Sequence, residues 1–324
     1  MKAYNQWASK LGFIMATAGA AVGLGNLWKF PYLMGRNGGF PFLIAYLIFV
    51  CVLGVPVMIT EMSLGRKTRH DPVQATQTFI PTPELWECSA YWPPLLFFPT
   101  TVSSEDGFSK YIVSYATTLH APADFNGFIA NGTEPVVWHL IFMVATTAIC
   151  FFGIRGIEKA SKFMMPMLFV LLLIIIARSV TLPNAGEGLK FIFSPAGSSF
   201  SITSVSAAVG QVFYSLSLCM GITITYGSYL SDQESIPKSC ASVAGLDTAV
   251  AVLAGLAIFP AVFSFGLEPG QGPGLIFGTL PKVFASIKGG SVFAIHFFCA
   301  GAVCCCDQCH CPVRGGGLLC SGQP

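Results

Sequence analysis

An apolar run long enough to cross a bilayer is interrupted at its centre by Ala18-Gly-Ala-Ala-Val-Gly-Leu-Gly-Asn-Leu-Trp-Lys-Phe-Pro31, where three glycines and an asparagine weaken the helix. Inside hydrocarbon an unpaired backbone group costs several kcal/mol, so irregular backbone at that depth survives only where protein or a wet cavity lines it. Such a break marks a binding site: freed carbonyls suit a small hard cation, and the N-terminus of the second half-helix suits a carboxylate. Taken alone, the same glycines also fit a close-packed face against a neighbouring helix.

Composition assigns the class. With 53% hydrophobic residues, 10% charged residues and a mean hydropathy of +0.67, the chain lies far from soluble domains, of which about 25% of residues are charged. It reads as an all-α polytopic membrane protein. The net charge of +2 points to no class of partner, and no basic stripe or motif for nucleic acid is present.

Runs able to cross the roughly 30 Å core lie near residues 11–34, 40–63, 136–154, 163–182, 204–230 and 243–266, and an incomplete run starts at Ser291. The first has no small-residue cleavage site and reads as a span, not a signal peptide. Pro56, Pro166 and Pro260 are expected to kink their helices. Arg66, Lys67, Arg69 and His70 follow the second run, and Arg155, Lys159 and Lys162 follow the run at 136–154. Both basic stretches belong on the cytoplasmic side, which leaves the N-terminus cytoplasmic and requires one more crossing between His70 and Pro135. The segment from Pro81 to Asp106 cannot supply it, because prolines and acidic residues leave only a short apolar core. Asn131-Gly132-Thr133 fits a glycosylation acceptor by pattern alone.

A second interrupted span runs from Ala207 to Gly221. Gly210 and Gln211 open it, Tyr214, Ser215 and Ser217 put hydroxyls at mid-depth, and Met220 and Gly221 precede Thr223, Thr225 and Tyr226. Once the missing crossing is counted, the two interrupted spans are first and sixth, at corresponding positions of two five-helix halves. That is the pattern of an inverted-repeat secondary transporter with its site at the repeat interface.

Gly23-Leu-Gly-Asn-Leu-Trp-Lys-Phe-Pro31, Asn37-Gly38-Gly39, Pro56 to Arg66 with Glu61, Gly210-Gln-Val-Phe-Tyr-Ser-Leu-Ser217 and Thr225-Tyr-Gly-Ser-Tyr229 resemble the neurotransmitter:sodium symporter family, and within it the bacterial amino-acid carriers. The resemblance covers residues 6–78 and 110–298. It implies a leucine-transporter-type inverted repeat with broken first and sixth helices, ending in the eighth span. It also implies sodium-coupled symport of a neutral, hydrophobic amino acid across the plasma membrane, and no enzyme chemistry; a homodimer stays open.

Carried over position by position, the resemblance implies two sodium sites. Asn26, Ser215, Asp247 and the Ala21 carbonyl match ligands of the first. Gly19 and Val22 carbonyls match part of the second, whose remaining ligands belong to the eighth span. The substrate carboxylate is expected against the Gly23, Leu24 and Gly25 amides and the first sodium, bounded by Ala21 and Ser215. Its side chain is expected to meet Ala20, Tyr214, Ser217 and Met220. The few polar groups there suit a neutral, apolar ligand.

Asp247 stands where an amide is commoner, and Ala251 where chloride-dependent members carry a hydroxyl, so chloride is not expected to be required. A bound cation would pair the buried Asp247; the alternative is a helix-start aspartate at the membrane edge. Glu61 is expected to accept hydrogen bonds from unwound backbone. Lys29 replaces a gate arginine, and an ammonium cannot make the bidentate fork. The stretch Leu275 to Ser286 resembles an extracellular re-entrant lid.

From Cys299 to Pro324 the chain holds seven of its twelve cysteines, including Cys306-Asp-Gln-Cys309-His-Cys311. Such spacing can bind zinc, which leaves a metal-binding membrane protein as the alternative function. Codon degeneracy gives another reading. Taken one base late, codons 304–312 admit a small-residue run resembling the family's eighth span. Taken two bases late, codons 86–110 admit a glycine- and tyrosine-containing run resembling the missing third span. We therefore read 1–298 as the transporter domain, with 78–109 out of frame, and 299–324 as an out-of-frame tail; the polypeptide as it stands is then expected not to transport. Sequencing the coding DNA across codons 76–112 and beyond 298 checks this. Compensating single-base shifts are expected, and DNA with no alternate-frame span at either place rules the reading out.

Overall fold

The computed structural model describes residues 10–22, 25–70, 72–78, 106–122, 125–151, 153–194, 200–267, 269, 275–287, 289–299 and 301–302. Among these the chain is helical, with no strand. Most of the segment read as out of frame, 79–105, and nearly all of the cysteine-rich tail lie outside the described residues.

The first span is two pieces: α1 (Lys10–Ala21) stops at the glycine cluster, and the chain resumes as a π-helical turn (Gly25–Lys29) leading into α2 (Phe30–Arg36). Gly38 and Gly39, both at positive φ, turn the chain into the second span. That span is α3 (Phe40–Phe49), a π turn (Val50–Gly54) and α4 (Val55–Thr68). The π turn has a local cause, since the Pro56 ring clashes with the carbonyl four residues earlier and offers no N–H.

The short α5 (Pro72–Gln77) precedes a helix at 106–118, α6, and then α7 (Phe125–Ala130) and α8 (Glu134–Phe151) follow. The long α9 (Gly153–Val180) runs straight through Arg155, Lys159 and Lys162. Sequence expects a loop there, but Lys, Arg, Glu, Ala and Met are all strong helix formers, and a charged helix end needs no membrane. After Asn184, in a left-handed conformation, α10 (Ala185–Phe193) folds back at 117° to the preceding helix.

The sixth span is again split, into α11 (Ile202–Ser215) and α12 (Ile222–Ser228). The unbroken α13 (Ile236–Ser264) carries Pro260 inside it. The expected lid is a π turn (Leu275–Thr279) and α14 (Leu280–Ala285), and α15 (Gly290–Cys299) covers the incomplete run.

Two apolar clusters pack on opposite faces of α13. Val250, Ala254 and Ile258 join Leu171 and Ile175 of α9, Phe108 and Tyr111 of α6, and Phe277 of the lid. Val243, Ala251 and Phe259 join Phe30, Tyr46, Met62 and Val212 from the first, second and sixth spans. The outward faces of α3 (Ile44, Ile48, Val52) and α8 (Val136, Leu140, Val144) stay exposed, as lipid-facing stripes do.

Phe259 is fully buried, rings 5.1 Å from Phe191, with its backbone against Gly188. Phe259→Ala is expected to destabilise the protein by about 3 kcal/mol or more, read as a lower thermal midpoint in detergent. Val144→Ala, on the lipid face, is expected to leave it unchanged, and equal midpoints would contradict this packing.

Candidate functional site

Four side chains with no solvent exposure meet where the broken first span, the second span, the broken sixth span and α13 converge: Asn26, Tyr46, Ser215 and Asp247. Asn26 Nδ2 donates to Asp247 Oδ1 at 2.5 Å and to the Asp247 backbone carbonyl at 3.1 Å. The Ser215 hydroxyl lies 2.6 Å from both Asn26 Oδ1 and Asp247 Oδ2. Tyr46 reaches Ser215 Oγ and Asp247 Oδ2 at 3.4 Å. Asp247 stands deep inside α13, which removes the helix-start alternative.

The donor set is short of protons. Ser215 has one hydroxyl hydrogen for two oxygen neighbours, and the Tyr46 contacts are long. A buried carboxylate beside two neutral oxygens, at the end of a helix whose last turn leaves carbonyls without intrahelical partners, fits a hard monovalent cation. Asn26, Ser215 and Asp247 are the side chains that could hold it. Ala21, buried at the end of α1, brings its carbonyl to the same break.

Of the second expected site, Gly19 and Val22 are buried, and Val22 N donates to Ala18 O at 2.6 Å. The partners expected from an eighth span, like Gly23, Leu24 and the Ala20 side chain, lie outside the described residues. Gly25 is described and is tightly covered: a Cβ on it would stand 2.6 Å from Tyr214 Cε1. Gln211 Nε2 donates to the Gly25 carbonyl at 3.1 Å, holding α11 to the first break. Lys29 Nζ lies 3.5 Å above the Tyr214 ring, a cation–π contact.

The sixth break has an unexpected backbone. Ser217 (φ 53°), Cys219 (φ 61°) and Gly221 (φ 76°) are all left-handed, and for the two non-glycines that conformation costs about 1–2 kcal/mol each. Leu218 N donates to Phe213 O at 2.9 Å, so the turn is closed by its own backbone. Behind the two breaks is a small cavity of about 10 Å³, bounded by Ala21 and Ser217 and walled by Met58, Ile222 and Val243. Met220 is half-buried beside it in sequence.

Sequence reasoning assigned no role to Tyr46 or Gln211. A single hydroxyl in an otherwise apolar stretch of the second span was the available signal for Tyr46; the Gln211 contact follows only from folding.

Comparison with known proteins places these features in context. The profile of the sodium:neurotransmitter symporter family matches residues 4–88 and 101–313. An uncharacterized sodium-dependent transporter, YhdH, of Bacillus subtilis is 37% identical over 314 residues, covering 91% of this chain and 68% of its own. The sodium- and chloride-dependent GABA transporter 2 of Rattus norvegicus is 26% identical, over 91% of this chain and 58% of its own. Among solved structures, MhsT in complex with L-phenylalanine superposes with a TM-score of 0.87 at 40% identity, covering 96% of this chain and 73% of its own. The chain thus spans about two thirds of the length of such relatives.

Glu61 anchors the sixth break from the second span. Its Oε1 accepts the Cys219 N–H at 2.7 Å, and its Oε2 accepts the Thr223 hydroxyl. Unwound backbone there has few other partners, as expected for this glutamate. Glu61→Ala strands the Cys219 N–H and is expected to cost about 2 kcal/mol, measured by thermal melting in detergent, with Glu61→Gln retaining part of the loss. An Ala variant as stable as the wild type would show that water replaces the carboxylate.

Proposed function

Because this chain belongs to the sodium:neurotransmitter symporter family, we propose that its central site couples sodium to the movement of a neutral, hydrophobic amino acid across the plasma membrane. Family membership makes it a transporter and not an enzyme. The observation that carries the reading is the dry Asn26–Ser215–Asp247 cluster, which ties both broken spans to α13 through acceptor oxygens. Sodium held there neutralises the Asp247 carboxylate. Asn26 and Ser215 orient that carboxylate, Tyr46 donates to it from the second span, and Gly25 with Tyr214 forms the covered wall against which an amino acid packs. A carboxylate in this position supplies the negative charge that a chloride ion otherwise brings, so transport needs no chloride. The apolar walls behind the breaks suit an uncharged side chain, and MhsT, the structural relative, is bound to L-phenylalanine.

We propose equally that residues 78–109 stand in for a third span translated out of frame. The family profile leaves 89–100 unmatched, within that segment, while it runs on across 299–313. Asp106 supports the reading: it is fully buried, with Oδ1 3.2 Å from His139 Nδ1 and Oδ2 unpaired among the described residues. A carboxylate left half-satisfied in a bundle interior is costly.

Uptake of labelled leucine and phenylalanine into proteoliposomes under an inward sodium gradient tests both readings. A version with the third and eighth spans restored is expected to take them up, without chloride. The chain as it stands is expected not to. In the restored protein Asp247→Asn is expected to raise the sodium concentration for half-maximal uptake about tenfold or more, roughly 1.4 kcal/mol per decade. Sodium-driven uptake by the unrestored chain overturns the second reading; a restored chain that moves no neutral amino acid overturns the first.

A further inference from the structure

At a four-residue spacing, Glu61 and Gly65 on α4 and Arg69 just past its last turn touch α12 at its start, middle and end. At the start, Glu61 binds Cys219 N–H and Thr223. At the middle, the helices cross with no side chain between them: a Cβ on Gly65 would collide with the Ile224 carbonyl, and one on Gly227 would stand 2.6 Å from Met62 O. At the end, Arg69 leaves α4 in a left-handed conformation (φ 59°). Its Nη1 donates to Ser228 O at 3.0 Å and Leu230 O at 2.5 Å, and its Nη2 to Asp232 Oδ1 at 2.6 Å. The last carbonyl of α12, Ser228 O, and Leu230 O just beyond it are therefore held by Arg69, while Tyr229 N and Leu230 N close back on Tyr226 O and Gly227 O.

We infer that Glu61, Gly65 and Arg69 are positioning residues that make α12 part of α4, so that the left-handed turn at 217–221, closed on one side by its own Leu218–Phe213 backbone bond, is held in place by the second span. The consequence for the second span follows from its π turn at Val50–Gly54. A unit fastened at three points cannot swivel at 217–221 alone, so any displacement of α12 takes α4 with it and is absorbed where α4 meets α3. Through this fastening a contact at the cytoplasmic end, Arg69 with Asp232, bears on Ser217 and Met220 beside the candidate site. The inference rests on packing alone, and it stands whether or not the amino-acid reading does.

Amide hydrogen exchange on the purified chain in detergent, read segment by segment, tests it. Arg69→Ala is expected to speed exchange about tenfold or more not only in the last turn of α12 but also at 217–221, leaving α9 and α13 unchanged. Arg69→Lys is expected to rescue part of that, since an ammonium reaches the carbonyls without the fork. Gly65→Ala is expected to do the same as Arg69→Ala, and Gly245→Ala on the open face of α13, where a Cβ meets nothing within 4 Å, to do nothing. Acceleration confined to the last turn would make Arg69 a simple helix cap and overturn the inference. So would equal acceleration in all helices, or none.

Discussion

A carboxylate sits where no water reaches, and most of this architecture is arranged around keeping it there. Asp247 is carried by the one long helix that both apolar clusters share, so its position is fixed by packing on two faces. Its oxygens are met from the first span by an amide, from the sixth by a hydroxyl and, at longer range, from the second by a phenol. Isolated, a charge in that place is strongly disfavoured; partnered by a cation it becomes the reason four segments meet. The breaks in the first and sixth spans meet at the same point, and each leaves backbone carbonyls without intrahelical partners there.

Interrupting a helix in hydrocarbon leaves backbone groups to satisfy, and the two breaks solve this differently. The first relies on small residues and on α11: Gln211 takes the Gly25 carbonyl and the Tyr214 ring lies on the space a side chain would fill. The second relies on α4, whose Glu61 accepts from backbone and hydroxyl together. Neither break is stable by its own propensity. Each is a local weakness made definite by a neighbouring helix, which is why the weak points coincide with the candidate site.

The meeting of Asn26, Ser215 and Asp247 is expected only through the family resemblance, whereas the two interruptions and the helical class are legible because glycine clusters and isolated polar groups stand out against apolar surroundings. Glu61 was legible for the same reason. Tyr46 and Gln211 were not, since a tyrosine or glutamine in a span carries no sign of what it faces. The basic stretch at 155–162 is helical where charge suggests a loop, because helix propensity decides there. Left-handed Ser217 and Cys219 had no signal at all; sequence attaches that conformation to glycine, and here the environment imposes it.

That last feature bears on how such a site changes over generations. A turn whose shape belongs to its surroundings tolerates exchanges at Ser217 and Cys219 without losing its course, since the helices around it, and not those side chains, set the path of the chain. Single exchanges can then alter the size and polarity of the side chains carried at this break. The course of the backbone stays fixed while what it displays is free to vary.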